Sequence, residues 1–419
     1  MKGLEGKSDF YKSVLTILSG STLAQLIPLI TEPILVRLFT PLEFGILALF
    51  LAVATIFSSI ATARYEMAIV LPKSDKSAIN ILFLSLLIAV FMSLLSGLIV
   101  LVFGEDISSL VNAPGLNEFL IWVPLFVLAA GIFQSLNMWT TRRKNFKNMA
   151  VSKVTQSGSN ATIAVGSGWA GANVMGLISG QVGGWFAGGI PLFYKFWKKD
   201  RKLITEVSGS RMKVEAKTHS DFPRVNSLHV LSDIGQQSLF NLMVSRFFGG
   251  STLGFYSRMI RIVKVPAGFI GSAVGQVFYQ KAGEQWQENQ DVRLIYTSQL
   301  KLMLILGLPI FGILALWGPE IFGFVLTQKW VIAGEYARIL SPWLFLNFAI
   351  SPFTHIPLIV GKQKSFFALS LTMNISVLLA LIISYYWKGN IETALYLVCA
   401  IQVFFHLLLM VWFFRISKK

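Results

Sequence analysis

Arg258, Arg261 and Lys264 follow one another at three-residue intervals near the start of an apolar segment. Each interval turns an α-helix by about 300°, so the three cations sweep about a third of its circumference. Counted from Gly254, Lys264 lies about 15 Å along the axis, deeper than a lysine easily snorkels. Cations at that depth need water or negative charge around them. A water-filled cavity would supply the first and would attract an anionic ligand such as a phosphate or an acidic sugar. Outer-leaflet lipid phosphates, or a pairing with Asp233, would satisfy the same cations.

Two other apolar segments carry polar stripes. Ser21, Gln25, Pro28 and Glu32 fall on one helical face, and Asp233, Gln237 and Asn241 align in the same way, with His229 and Gln236 beside them and Arg246 at the segment's end. Polar groups in hydrocarbon are costly, so these stripes should face protein or water. Gln25, Gln237 and Asn241 are candidate substrate contacts beside Arg246, Arg258, Arg261 and Lys264. Glu32 and Asp233 are candidates for binding a coupling proton or sodium ion; hydrogen-bonded glue between helices is the structural alternative. A further segment holds Pro342, Pro352 and Pro357 with His355 among them. That pattern predicts a bent, hinge-like helix, with His355 either a proton carrier or a packing residue.

The elements that position these residues follow from composition. Of 419 residues, 54% are hydrophobic and 13% charged, against roughly 25% charged in a soluble domain, and mean hydropathy is +0.65. A water-soluble globule is excluded; the solvent is a bilayer. Apolar runs of about 20 residues, without the alternation of barrel strands, predict an all-α polytopic fold. Twelve transmembrane helices are expected at 14–38, 43–64, 78–103, 119–141, 152–170, 173–195, 223–248, 254–280, 297–318, 336–360, 365–387 and 391–414. The first run lacks a small-residue cleavage site and reads as a retained helix. Most of the 36 basic residues then fall on one side, in the ends and alternate loops, which makes that side cytoplasmic and both termini with it. The net charge of +16 is thereby explained by orientation, and no nucleic-acid partner is implied.

Val36-Arg37-Leu38-Phe39 with Phe44-Gly45 returns, half a chain later, as Ser245-Arg246-Phe247-Phe248 with Leu253-Gly254. The repetition predicts two six-helix lobes, 1–195 and 223–419, joined by a basic cytoplasmic linker at 196–222, with the substrate path in a central cavity. Gly176, Gly180, Gly184 and Gly188 form a four-residue ladder, which predicts close packing of that helix on a neighbour.

Catalytic chemistry is not in evidence. His219, His229, His355 and His406 lack metal-ligand spacing, and the single cysteine, Cys399, lies in an apolar run. Gly6-Lys7-Ser8 imitates the end of a phosphate-binding loop but lacks the preceding glycine and strand. No metal or cofactor is therefore expected. Energy would come from a proton or sodium gradient, from the substrate's own gradient, or from a partner. Outer loops are short while the longest connection is cytoplasmic and basic, which favours a transporter over an enzyme.

The passage Thr31-Glu32-Pro33-Ile34-Leu35-Val36-Arg37-Leu38-Phe39-Thr40-Pro41-Leu42-Glu43-Phe44-Gly45, the run Ala63-Arg64-Tyr65-Glu66 with Leu71-Pro72, and Gly254-Phe255-Tyr256-Ser257 with Arg261, Pro266 and Gly271 to Val277 resemble the Wzx-type polysaccharide exporters of bacteria. These belong to the multidrug/oligosaccharidyl-lipid/polysaccharide exporter superfamily. The resemblance implies a flippase of the inner membrane that moves undecaprenyl-diphosphate-linked oligosaccharide units, for O-antigen or a related surface polysaccharide, from the cytoplasmic to the periplasmic leaflet by alternating access. It also implies a polysaccharide polymerase and a chain-length regulator as candidate partners. An ion-coupled drug or metabolite antiporter of the same superfamily is the alternative; its cationic cargo would prefer an acidic cavity, and here cations outnumber Glu32 and Asp233.

Overall fold

A computed structural model describes residues 22–418, with the side chains of Val225, Leu228, His229 and Asp233 outside that description. The expected roles of Ser21 and of the Asp233 carboxylate therefore lie outside the described residues. All regular structure among the described residues is helical. Contacts divide the chain into two compact units, 1–246 and 247–419. The first holds α1 (22–38), α2 (Pro41–Ser59), α3 (Asp75–Leu110), α4 (Val123–Arg142), α5 (Phe146–Trp169), α6 (Val174–Asp200), α7 (Gly209–Thr218) and nearly all of α8 (Ser227–Phe248). The second holds α9 (Gly250–Gln287), α10 (Arg293–Val325), α11 (Val331–Ile350), α12 (Gln363–Trp387) and α13 (Ile391–Ile416). By contacts, α8 groups with the first unit.

Among the described residues, 8 helices are long and apolar enough to cross a membrane: α2, α3, α4, α9, α10, the α11 region, α12 and α13. The protein is an all-α polytopic membrane protein. Large side chains such as Leu94, Leu98 and Leu101 stand exposed along α3, as a helix solvated by acyl chains requires. Helices α5 and α6 cover the expected spans 152–170 and 173–195 but are diluted by Ser, Asn, Thr and Gly and do not reach the same apolarity.

Two differences from the expected boundaries have physical causes. Helices α3 and α9 overrun the expected apolar stretches at both ends, because their backbone hydrogen bonding continues into polar residues; the end of α10 beyond the expected span follows a kink at the non-helical Trp317 (φ −124°, ψ 24°), beside Pro319. The expected span 336–360 is broken rather than bent: α11 stops at Ile350, and a 3-10 turn (Ser351–Phe353) and a short helix (Ile356–Ile359) follow at Pro352 and Pro357. Proline lacks the amide that would continue the ladder and crowds the preceding turn.

Local signals set the helix starts. Thr40 caps α2 in a reciprocal box with Glu43, and Pro41 occupies the first turn. Two consecutive left-handed residues, Ala63 (φ 47°) and Arg64 (φ 62°), turn the chain after α2. They lead into Glu66, which is buried, accepts from the Thr62 hydroxyl and lies 3.3 Å from Arg64. That geometry accounts for the run Ala63 to Glu66 as a turn held by an ion pair between the half-buried Arg64 and the buried Glu66. In the second unit the Phe353 ring lies edge-on to Phe278 and Tyr296 at 4.8 and 4.9 Å, and the Tyr296 hydroxyl donates to the Met410 carbonyl at 2.9 Å. This cluster seals the break after α11 against α9, α10 and α13.

The glycine ladder on α6 packs against α5 as its spacing predicts. A Cβ added at Gly180 would lie 2.9 Å from the Asn160 carbonyl oxygen, and one at Gly184 would lie 2.9 Å from that of Gln156. Both obstacles are backbone and cannot swing away. We expect Gly180→Ala and Gly184→Ala each to destabilise the detergent-solubilised protein by about 1–3 kcal/mol. Gly189→Ala on the same helix, where nothing lies within 4 Å, should be neutral or stabilising. Equal melting temperatures for all three variants would refute the packing account.

The basic segment 196–222 is an ordered helical element. Helix α6 continues to Asp200, a 3-10 turn covers Arg201–Glu206, and α7 follows. Asn80, fully buried on α3, donates to the Glu206 carbonyl at 3.0 Å and accepts from the Ser208 amide at 2.9 Å, and the Tyr65 hydroxyl donates to Ala216 O at 2.9 Å. Hydrogen bonds from Lys76 and Arg211, each at 2.9 Å, hold the Glu206 carboxyl below its ordinary value of 4.5. A depressed carboxylate contributes stability above its unfolded value and loses it as pH falls through its folded value. Protection of the amides of 209–218, with exchange corrected for its intrinsic pH dependence, should therefore fall below about pH 4.5, and Glu206→Gln should show the lower protection already at pH 7. Protection unchanged by both pH and that substitution would contradict this anchoring.

Candidate functional site

Helix α9 carries the cations. It begins at Gly250 as α2 begins at Pro41, so both copies of the sequence repeat start a helix at corresponding positions. Gly249 precedes it at φ 91°, a conformation that favours glycine. Arg258 is 4% exposed, and Arg261 and Lys264 are half-buried. The Lys264 ammonium sits 4.6 Å from the centroid of the Trp343 ring on α11, a cation–π contact. Beside it lies a cavity of about 230 Å³, lined among others by Lys264, Gly268, Phe311, Asn347, Phe348 and Ser351.

A histidine completes this region. His406, on α13, is 3% exposed; its Nδ1 lies 2.7 Å from the Gln402 carbonyl and its Nε2 lies 3.2 Å from Asn347 Nδ2. A carbonyl only accepts, so Nδ1 carries the proton and the Asn347 amide donates to Nε2, leaving the ring neutral. Asn347, which bonds this ring, also lines the cavity beside Lys264. Gln402 Oε1 and Trp343 Nε1 are buried without a hydrogen-bond partner. The region therefore presents an ammonium and an amide to a small cavity with aromatic walls, donors suited to an anion or to sugar hydroxyls, beside the Ser351 oxygen, whose own proton goes to the Phe348 carbonyl at 3.0 Å.

The other sequence candidates are placed as follows. Gln25 is exposed and Glu32 is 2% exposed on α1; on α8, Gln237 is exposed and Asn241 half-buried. Arg246 is exposed, and its guanidinium donates to the Ser109 carbonyl at 3.4 Å while the neighbouring Ser245 hydroxyl donates to Val111 O at 3.1 Å. Together they satisfy carbonyls at the C-terminal end of α3, where positive charge is favoured. His355 is exposed and lies 5.3 Å from the Tyr279 ring. Tyr279 is about 22 Å along α9 from Lys264 at 1.5 Å per residue. The structure thus gathers Lys264 with Trp343, Asn347 and His406, keeps Arg258 and Arg261 on the same helix, and sets His355 apart.

Sequence reasoning missed Trp343, Asn347 and His406 as neighbours of Lys264. The signal was present: an amide and an imidazole each interrupt an apolar span. His406 drew attention only for its lack of metal spacing.

Comparison with known proteins adds four findings. A family model described as "Polysaccharide biosynthesis protein" matches residues 34–335. The succinoglycan biosynthesis transport protein ExoT of Rhizobium meliloti (strain 1021) is 27% identical over 326 residues, which is 75% of this chain and 63% of that protein. The chain thus spans less than two thirds of that relative's length. Among solved structures, lipid II flippase MurJ in an inward closed conformation aligns at a TM-score of 0.70 with 14% identity, over 96% of this chain and 90% of that one. A multidrug resistance MATE family transporter of the MOP superfamily, inward-facing, aligns at 0.65 with 17% identity, over 96% and 94%. At these identities the structural likeness shows the fold.

Proposed function

The chain belongs to the polysaccharide biosynthesis protein family, and from that premise we propose that it is a flippase, not an enzyme, for undecaprenyl-diphosphate-linked oligosaccharide units. The direction is from the cytoplasmic to the periplasmic leaflet of a bacterial inner membrane. The observation that carries this reading is the cationic face of α9, with Arg258 buried and Lys264 laid on Trp343 beside a cavity, inside a helix long and apolar enough to span a bilayer. Such charges in a membrane segment mark a substrate path by default. A diphosphate, or an acidic sugar attached to it, is the cargo chemistry that matches guanidinium and ammonium donors.

The names of the relatives support the cargo class: one is a succinoglycan biosynthesis transport protein and another flips lipid II. In the proposed cycle, twelve helices form two six-helix lobes with both termini cytoplasmic. The lobes rock about a central cavity, so that the head group is exposed to one side and then the other while the lipid tail stays in the bilayer. Arg258, Arg261, Lys264 and Arg246 hold the charged group, and Gln25, Gln237 and Asn241 hold sugar hydroxyls. Glu32, Asp233 or His355 binds the coupling proton or sodium ion. The polymerase and chain-length regulator receive the flipped unit. A drug or metabolite antiporter shares the fold, but its cationic substrates would meet repulsion from the charges on α9.

Replacing Arg258 and Arg261 together with alanine should abolish surface polysaccharide in a deletion strain complemented by the variant, with the protein still present in the membrane fraction. Wild-type polysaccharide from that strain would remove these residues from the transport path.

A further inference from the structure

The end of the first unit that carries its basic connections contains a second cationic cavity, unrelated to α9. It measures about 560 Å³ and lies where the C-terminal ends of α4 and α6 meet the turn after α4. Trp139 and Phe196 form its apolar floor, their rings edge-to-face at 5.8 Å. Around them stand Arg143, Lys144, Lys195 and Lys199, with Asp200 as the one carboxylate in the lining.

The pairing pattern decides what this cavity can hold. Arg143 bridges Asp75 and Asp200, each at 2.8 Å, with its guanidinium 4.9 Å over the Trp139 ring. The other Asp200 oxygen accepts from Trp139 Nε1 at 2.9 Å. Arg142 takes the remaining Asp75 oxygen at 2.9 Å. Both carboxylates are thus consumed by a fixed network. Lys144, Lys195 and Lys199 are left at the cavity with no carboxylate within ion-pair distance among the described residues. Lys144 has a φ of 52°, the left-handed region that a lysine rarely adopts, in the turn that places it at the rim.

The location supplies the ligand's context. Helix α4, one of the candidate spans, ends here at Arg142. On the last turns of α6, Phe193, Tyr194 and Trp197 are 52%, 64% and 49% exposed, an aromatic cluster of the kind that sits at the level of lipid head groups. A rigid cavity with a tryptophan floor and three uncompensated ammonium groups at that level suits a phosphate-bearing head group whose tail remains in the membrane. We propose that this cavity binds the phosphate or diphosphate head group of a membrane lipid, at a site separate from the cations of α9. The assignment does not depend on the flippase reading, since an acidic phospholipid and a polyprenyl diphosphate share the chemistry it recognises.

The test uses the full-length protein in phosphatidylcholine nanodiscs, with affinities measured for a short-chain polyprenyl diphosphate, phosphatidylglycerol and inorganic diphosphate. At least one lipid should bind, and Lys144→Gln/Lys195→Gln/Lys199→Gln should weaken it at least tenfold. The matching triple arginine variant should retain binding, and Arg258→Ala/Arg261→Ala should leave this component of binding in place. Which lipid binds more tightly distinguishes a cargo-like diphosphate from a phospholipid. Unchanged lipid affinity in the triple glutamine variant would overturn the proposal, as would inorganic diphosphate binding as tightly as either lipid, which would reduce the cavity to an ion site. Failure of both lipids to bind there, with polysaccharide export still dependent on Arg258 and Arg261, would reject this site and leave the flippase reading standing.

Discussion

A cation inside a hydrocarbon slab has to be met by water, by negative charge or by an aromatic face, and every functional feature of this protein follows from how that requirement is satisfied. Helix α9 cannot carry Arg258, Arg261 and Lys264 through a bilayer as an isolated rod. Lys264 meets the requirement in part through the Trp343 ring and in part through a cavity it shares with Asn347 and Ser351. The ammonium is thus covered on one side by the indole and borders a small cavity on the other. The neutral His406 ring, fixed between Gln402 and Asn347, holds the Asn347 amide at the edge of the same space.

The first unit meets charge differently. Its ion pairs tie helix ends together: Arg142 and Arg143 clamp Asp75 and Asp200, while Lys76 and Arg211 clamp Glu206. Arg246, without an ion pair among the described residues, reaches the Ser109 carbonyl near the end of α3 at 3.4 Å. These contacts hold the basic segment against the bundle, so the stretch that composition marks as a linker is part of the folded unit. Within the same unit, the α5–α6 glycine interface brings two helices into backbone-to-backbone contact.

The parts of the fold that were legible in the sequence are those governed by the solvent. Apolar runs predicted long helices, the spacing of Gly176 to Gly188 predicted a close interface, and helix starts expected at 43 and 254 lie earlier in the structure, at the corresponding positions Pro41 and Gly250. The extension of α3 and α9 into polar residues and the kink of α10 at Trp317 were not legible from hydropathy. The break at Pro352 was foreseen as a bend, because a proline in sequence does not say whether the chain recovers its helix. Of the site, the cations could be read from α9 alone, whereas their setting required three other helices. Trp343, Asn347 and His406 lie far from Lys264 in sequence and become its neighbours only through packing.

The account rests on an anionic lipid head group being carried across the membrane by this chain without help. The direct measurement is the leaflet distribution of a fluorescent undecaprenyl-diphosphate oligosaccharide in liposomes that contain only this protein, read by quenching from outside. Transfer between leaflets at a rate that rises with protein content, and that falls to the protein-free level when Lys264 is replaced by methionine, is the predicted result. A rate equal to that of empty liposomes under imposed proton and sodium gradients alike would contradict it.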